Sequence, residues 1–173
     1  VLGTDTKDDQ LIFEETDDSF SVSISLTSDE KFFVISTSDS DTIEEYFFLA
    51  KEEKIKPELF KARKKGIKYS IDSWKNYWYI RTNENALDYK ILRCDHNNTK
   101  KLSVFIPAKN ETVIGGFDFL DNYILRTEKS DAIPRLLVRN INTNDEEELI
   151  VSEEPVGSPG FSLMQKNTNT TKI

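Results

Sequence analysis

At 173 residues the chain is the size of one ordinary domain. Its 31 acidic against 23 basic residues leave a formal charge of −8, which argues against a general binder of nucleic acid or anionic membranes and favours cationic partners. The single cysteine, Cys94, forms no internal disulfide, and no stretch reads as a signal peptide or membrane span, so the cytoplasm is the expected compartment.

Val1 to Lys7 is polar and irregular. The apolar run in Gln10-Leu11-Ile12-Phe13-Glu14-Glu15 reads as the last strand of a preceding unit, and Thr16-Asp17-Asp18-Ser19 as the turn that closes it. Val22, Ile24 and Leu26 then alternate with serines, the period-2 pattern of a strand. Phe32-Phe33-Val34-Ile35-Ser36-Thr37 follows, mixing aromatic and β-branched residues as buried strands do. Tyr46-Phe47-Phe48-Leu49 and Glu58-Leu59-Phe60 complete a set of four short strands.

That set recurs. Tyr77-Trp78-Tyr79-Ile80-Arg81-Thr82 and Asn122-Tyr123-Ile124-Leu125-Arg126-Thr127 repeat the second strand, with Ile35, Ile80 and Leu125 spaced 45 residues apart. Ile67, Tyr69 and Ile71, then Thr112, Ile114 and Gly116, repeat the first strand at the same offset. Tyr89-Lys90-Ile91-Leu92 and Leu136-Leu137-Val138 repeat the third, and Ser103-Val104-Phe105 and Glu148-Leu149-Ile150 the fourth. A fixed period of about 40–50 residues marks a repeat architecture, and four strands per repeat make a propeller blade. No stretch carries helical spacing. The expected fold is therefore all-β, with three complete four-stranded blades at 20–63, 66–107 and 111–152 in a propeller region spanning 1–154.

Pro155-Val156-Gly157-Ser158-Pro159-Gly160 breaks the pattern, so 155–173 is expected to open the next blade or to form a disordered tail. At this period the chain holds slightly under four blades, where closed propellers have about 4–8. The expectation is a piece of a longer protein whose unpaired end faces and strand edges invite self-association.

The chemistry-bearing residues are sparse. His96 is the sole histidine, two residues from Cys94, so the two share a face if the strand continues. Thiol catalysis or metal binding would need further ligands or an orienting group, and an end-of-strand cysteine beside a solvated loop histidine explains the pair as well. Asp39 and Asp41 lack the full oxygen cage of a calcium site. Adjacent carboxylates such as Glu44-Glu45 and Glu146-Glu147-Glu148 point to opposite faces of a strand and read as solvated charge. The eight Lys or Arg from Lys51 to Lys68 read as an exposed outer strand. Gly157-Ser158-Pro159-Gly160 does not fit the Gly-x-Ser-x-Gly nucleophile elbow. Asn97-Asn98-Thr99, Asn110-Glu111-Thr112 and Asn169-Thr170-Thr171 match the glycosylation pattern, as chance allows in an Asn-rich chain.

Leu2-Gly3-Thr4 followed by Asp9-Gln10-Leu11-Ile12-Phe13-Glu14-Glu15 resembles the start of the propeller in the prolyl oligopeptidase family. Lys68-Tyr69-Ser70-Ile71-Asp72, Tyr79-Ile80-Arg81-Thr82-Asn83 and Ala86-Leu87-Asp88-Tyr89-Lys90-Ile91 look like its oligopeptidase B (protease II) branch. The resemblance is spread over Val1 to about Glu154 rather than held in one sharp motif. It implies a seven-bladed propeller over a C-terminal α/β-hydrolase domain that bears a serine, aspartate and histidine triad. It carries no catalytic, cofactor or metal residue onto any position of this chain. The implied role is a gate that admits short peptides, in this branch ones containing Arg or Lys, and excludes folded proteins. Two other readings stay open: a stand-alone propeller-like module that binds a protein partner, and a propeller glycosidase, which would need two carboxylates about 5–10 Å apart across one cleft.

Overall fold

The computed structural model describes residues 5, 7 and 9–149, and no α-helix occurs among them. The strands are β1 (Ser21–Leu26), β2 (Phe32–Ser38), β3 (Ile43–Leu49), β4 (Glu58–Lys61), β5 (Tyr69–Trp74), β6 (Tyr77–Thr82), β7 (Lys90–Asp95), β8 (Ser103–Ile106), β9 (Thr112–Leu120), β10 (Tyr123–Ser130), β11 (Ile133–Asn140) and β12 (Glu146–Leu149). They form three antiparallel sheets of four, each a meander in chain order. The fold is the expected all-β row of blades, not closed into a ring.

The recurring apolar stretch is the second strand of every sheet, hydrogen-bonded on both sides and covered on both faces. That explains why it lacks the polar alternation of a half-exposed strand. Phe32 and Val34 turn toward the second sheet and meet Trp78, Ile80, Tyr69 and Ile71 there. On the far side of β6, Tyr79 turns toward the third sheet and packs with Trp74, Phe105, Ile114, Phe119 and Ile124. The second blade thus contributes alternate residues to two seams.

The third sheet departs from the simple repeat at one place. Arg126 pairs with Phe117 and Glu128 with Ile114, so Gly115 and Gly116 of β9 oppose Thr127 alone. This is a β-bulge, and it demands a missing side chain, because a Cβ on Gly115 would lie 2.2 Å from Thr127 Oγ1. Beyond the end of β10, the turn to β11 places Asp131 and Ala132 at φ 51° and 63°. Two successive positive φ values fit the two-residue hairpin turn that follows strand twist.

One expected strand is absent. Residues 9–16 form no strand and pair with neither edge strand of the first sheet, β1 or β4. The segment instead crosses the outer face of the first sheet, where Phe13 packs 4.8 Å from the Tyr46 ring and Glu15 pairs with Arg63. Beside it lies an apolar hollow of about 450 Å³ lined by Phe13, Val22, Ile24, Phe33, Ile35 and Phe48, among other residues. Leu2-Gly3-Thr4, Ile150 and the 155–173 segment lie outside the described residues.

Candidate functional site: the inner wall of the blades

The first strands of all three sheets meet around one hollow of about 290 Å³. Its wall takes Ser25 and Ser28 from around β1, Ser70 and Asp72 from β5, Phe117 and Asp118 from β9, and Arg81 from β6. Of the alternating serines of β1, Ser25 reaches this hollow. Asp72 is held in place by Ser28, whose backbone N–H and hydroxyl donate to its two oxygens at 2.7 and 2.6 Å. Arg81 donates from Nε to the Ile114 carbonyl at 2.8 Å, and its guanidinium lies 3.5 Å from the centre of the Tyr89 ring. Carboxylates, hydroxyls and one anchored guanidinium suit the reversible binding of a polar chain.

Next to this wall, at the hairpin ends of the first two blades, the structure assembles a serine, a histidine and an aspartate. Ser73 Oγ donates to Asp29 Oδ2 at 2.8 Å and lies 2.9 Å from His96 Nε2. The order is carboxylate, hydroxyl, imidazole, whereas acyl transfer needs the imidazole in the middle to take the hydroxyl proton. Ser73 is also completely buried, so no substrate carbonyl reaches it. The three side chains tie the β1–β2 turn to the second blade.

Cys94 and His96 do share a face, as their spacing predicts, but His96 is not the solvated loop residue expected. It is half-buried, with its ring 5.2 Å from Phe32 and 5.1 Å from Trp78, and burial holds its pKa below the ordinary value. Cys94 is buried in the same seam, and burial pushes its thiol up to about 11. A neutral thiol without access is inert. Alkylation of Cys94 by iodoacetamide at about pH 8 is expected to be at least about a hundredfold slower in the native chain than in denaturant. Mass spectrometry of timed quenches measures both rates, and similar rates would show that the seam opens readily.

Asp39 caps its own turn, accepting from the backbone N–H groups of Asp41 and Thr42 at 2.8 and 2.7 Å, while Asp41 accepts from the Thr42 hydroxyl at 2.6 Å. No group of three or more histidine, cysteine, aspartate or glutamate side chains that could hold a metal occurs among the described residues. In the basic run, Lys51, Lys54, Lys56, Lys64 and Lys65 are exposed, whereas Arg63 bridges Glu15 and Glu44 and Lys61 meets Glu84.

The sequence model of the N-terminal β-propeller domain of prolyl oligopeptidase matches residues 1–173. The chain belongs to the prolyl oligopeptidase family. Within the family it is 32% identical over 128 residues to Protease 2 of Moraxella lacunata, a match covering 66% of this chain and 18% of that protein. It is 28% identical over 168 residues to dipeptidyl aminopeptidase BI of Pseudoxanthomonas mexicana, covering 94% of this chain and 22% of that one. Among solved structures, oligopeptidase B from Leishmania major superposes with a TM-score of 0.81 at 18% identity, over 88% of this chain and 23% of the other. Oligopeptidase B from Trypanosoma brucei gives 0.82 at 19% identity, over 90% and 23%. At that identity the superpositions establish the fold. The chain spans about a fifth of the length of the curated relatives it matches.

In this prolyl oligopeptidase-family propeller, several charged strand residues are buried. Glu44 and Glu45 do point to opposite faces, but both are buried rather than solvated. Glu44 accepts from Arg63 and Tyr46, while Glu45 reaches the second sheet. Arg126 is wholly enclosed. Both positions carry a signal in retrospect, since a charged residue inside a central strand of a repeat must find a partner in an adjoining element.

Proposed function

We propose that this chain is the non-catalytic propeller portion of an oligopeptidase B-like serine peptidase, where it gates the passage of short Arg- or Lys-containing peptides to a C-terminal α/β-hydrolase domain. The observation that carries the reading is the inner wall, where the first strands of three blades present serines and the carboxylates of Asp72 and Asp118 to a shared hollow. The net charge of −8 favours cationic peptides in the same sense. The unproductive order of Asp29, Ser73 and His96 supports a scaffold without hydrolytic chemistry of its own.

The test is hydrolysis of an Arg-containing chromogenic peptide by this chain, beside the same propeller joined to its hydrolase domain. Turnover only in the joined protein is the expected result. Turnover by the chain alone would overturn the reading and direct attention to Ser73, Cys94 and His96. If neither protein is active, a protein-interaction module becomes the better reading, with the apolar hollow on the first sheet as its docking face.

A further inference from the structure

The two blade seams are bridged by different chemistry. Between the second and third sheets, Ile114 N donates to the Asp88 carbonyl at 2.9 Å and Arg81 Nε donates to the Ile114 carbonyl at 2.8 Å. Neither contact changes its protonation in the working pH range. Between the first and second sheets, besides the Ser28–Asp72 and Ser73–Asp29 contacts at the β1–β2 turn, the bridge from β3 is the carboxyl of Glu45, only 4% exposed. One oxygen accepts from the Ile71 backbone N–H of β5 at 2.7 Å, and the other lies 2.8 Å from the Ser36 hydroxyl of β2.

Among the described residues no cation faces this carboxyl. From β5 it is met by the neutral phenol of Tyr69, which accepts from the Glu45 N–H at 2.9 Å and donates to the Lys61 carbonyl at 2.6 Å, and by the negative charge of Asp72. From β2 it meets Ser36. Lys61 stands opposite Glu45 in the β3–β4 register, but its ammonium is paired with Glu84. On β3 itself, Glu44 turns to the other face and takes Arg63. An ionised Glu45 would be a buried charge without a counter-charge, an arrangement that proteins relieve by keeping the proton or by opening.

We propose that the Glu45 carboxyl is a proton-dependent latch between the first and second blades: neutral, it completes the seam, and ionised, it drives the seam toward opening. Burial, with a smaller contribution from Asp72, raises its pKa from the ordinary 4.5 to about 8 in the folded chain. The folded state therefore holds the proton more tightly than the unfolded one. The resulting stabilisation is complete below the ordinary value and is lost as pH rises through the folded one. The latch loosens on the alkaline side. This inference rests on the seam alone and is independent of the gating role.

Hydrogen exchange followed by mass spectrometry at about pH 7 and about pH 9, corrected for the intrinsic pH dependence of amide exchange, tests it. The opening equilibrium of β3 and β5 amides, Ile71 included, is expected to rise about tenfold across that interval. The seam around Ile114 should not respond. In Glu45→Gln the amide oxygen still accepts from Ile71 and the amide nitrogen donates to Ser36, so the variant should keep its seam protection at both pH values. An equal response in Glu45→Gln, an equal response in both seams, or no response in the wild-type chain would overturn the proposal. A second readout does not depend on the variant: in ¹³C-glutamate-labelled wild-type protein, the Glu45 carboxyl signal should titrate well above the other glutamates. Titration within the ordinary carboxylate range would also overturn it.

Discussion

Replacing Trp78 with alanine is expected to destabilise the chain by about 3–5 kcal/mol, the usual cost of emptying a large aromatic site. The indole is completely buried, and its ring centre lies 4.7 Å from Phe32, 5.0 Å from Phe47 and 5.7 Å from Phe60. Those contacts join β6 to the second, third and fourth strands of the first blade. No small rearrangement of one sheet can fill the hole, because its lining comes from both. The indole N–H has no hydrogen-bond partner among the described residues, so the side chain acts through its area and shape. Trp78→Phe keeps most of that area and sheds a buried donor that costs about 1–3 kcal/mol when unmet. It should therefore lose less than half as much stability as Trp78→Ala. Urea unfolding followed by circular dichroism gives both values, with Leu87→Ala, 91% exposed, as a reference expected within about 0.5 kcal/mol of wild type. A Trp78→Ala cost below about 1 kcal/mol would mean that the two blades do not depend on this ring.

The second large effect is expected at Arg126, and it is electrostatic. Nε and Nη2 donate to Glu128 Oε1 at 2.9 and 2.7 Å, and Nη1 donates to Glu146 Oε2 at 2.7 Å. Arg126 and Glu128 are both buried, so removing the guanidinium strands a carboxylate in a low-dielectric seam. Lys109 Nζ, at 3.4 Å and near the surface, only partly replaces it. Arg126→Met is expected to cost about 3–5 kcal/mol, whereas Arg126→Met with Glu128→Leu should recover most of the loss. A double-mutant cycle by urea unfolding measures this, and additive losses would show that the pair is not coupled.

The pH dependence at this cluster runs opposite to that at Glu45. Burial alone would push the Glu146 carboxyl up, but Arg126 more than offsets it and holds the group below its ordinary value. Its contribution is thus present above the ordinary carboxylate pKa and lost as pH falls through the folded one. Acid loosens the outer strands of the third blade, and alkali the first seam.

The architecture was readable because its signals are local. Period-2 alternation in β1 and the apolar runs of β2, β6 and β10 depend on residues close in sequence, and the 45-residue offset between Ile35, Ile80 and Leu125 repeats that local pattern along the chain without needing any tertiary contact. A strand covered on both faces must be apolar on both, and a repeated strand announces a repeated blade. The run at residues 10–15 misled because a short apolar run reports burial and not whether the segment pairs with a neighbouring strand.

Polar placement was decided only by stacking one sheet on the next. Ser28 and Asp72 are 44 residues apart, as are Asp29 and Ser73, and Glu45 and Ile71 are 26 apart. Local patterning can say that such a side chain sits in a strand, but its burial and partner depend on the adjoining blade. Glu45 reads as solvated charge and His96 as a loop residue until that blade is in place, while Arg126 reads only as one position of a repeated strand, with no partner named. Desolvation then turns the same groups into a latch, an ion cluster and a packed ring, because a charge removed from water must be neutralised, paired or left without its proton.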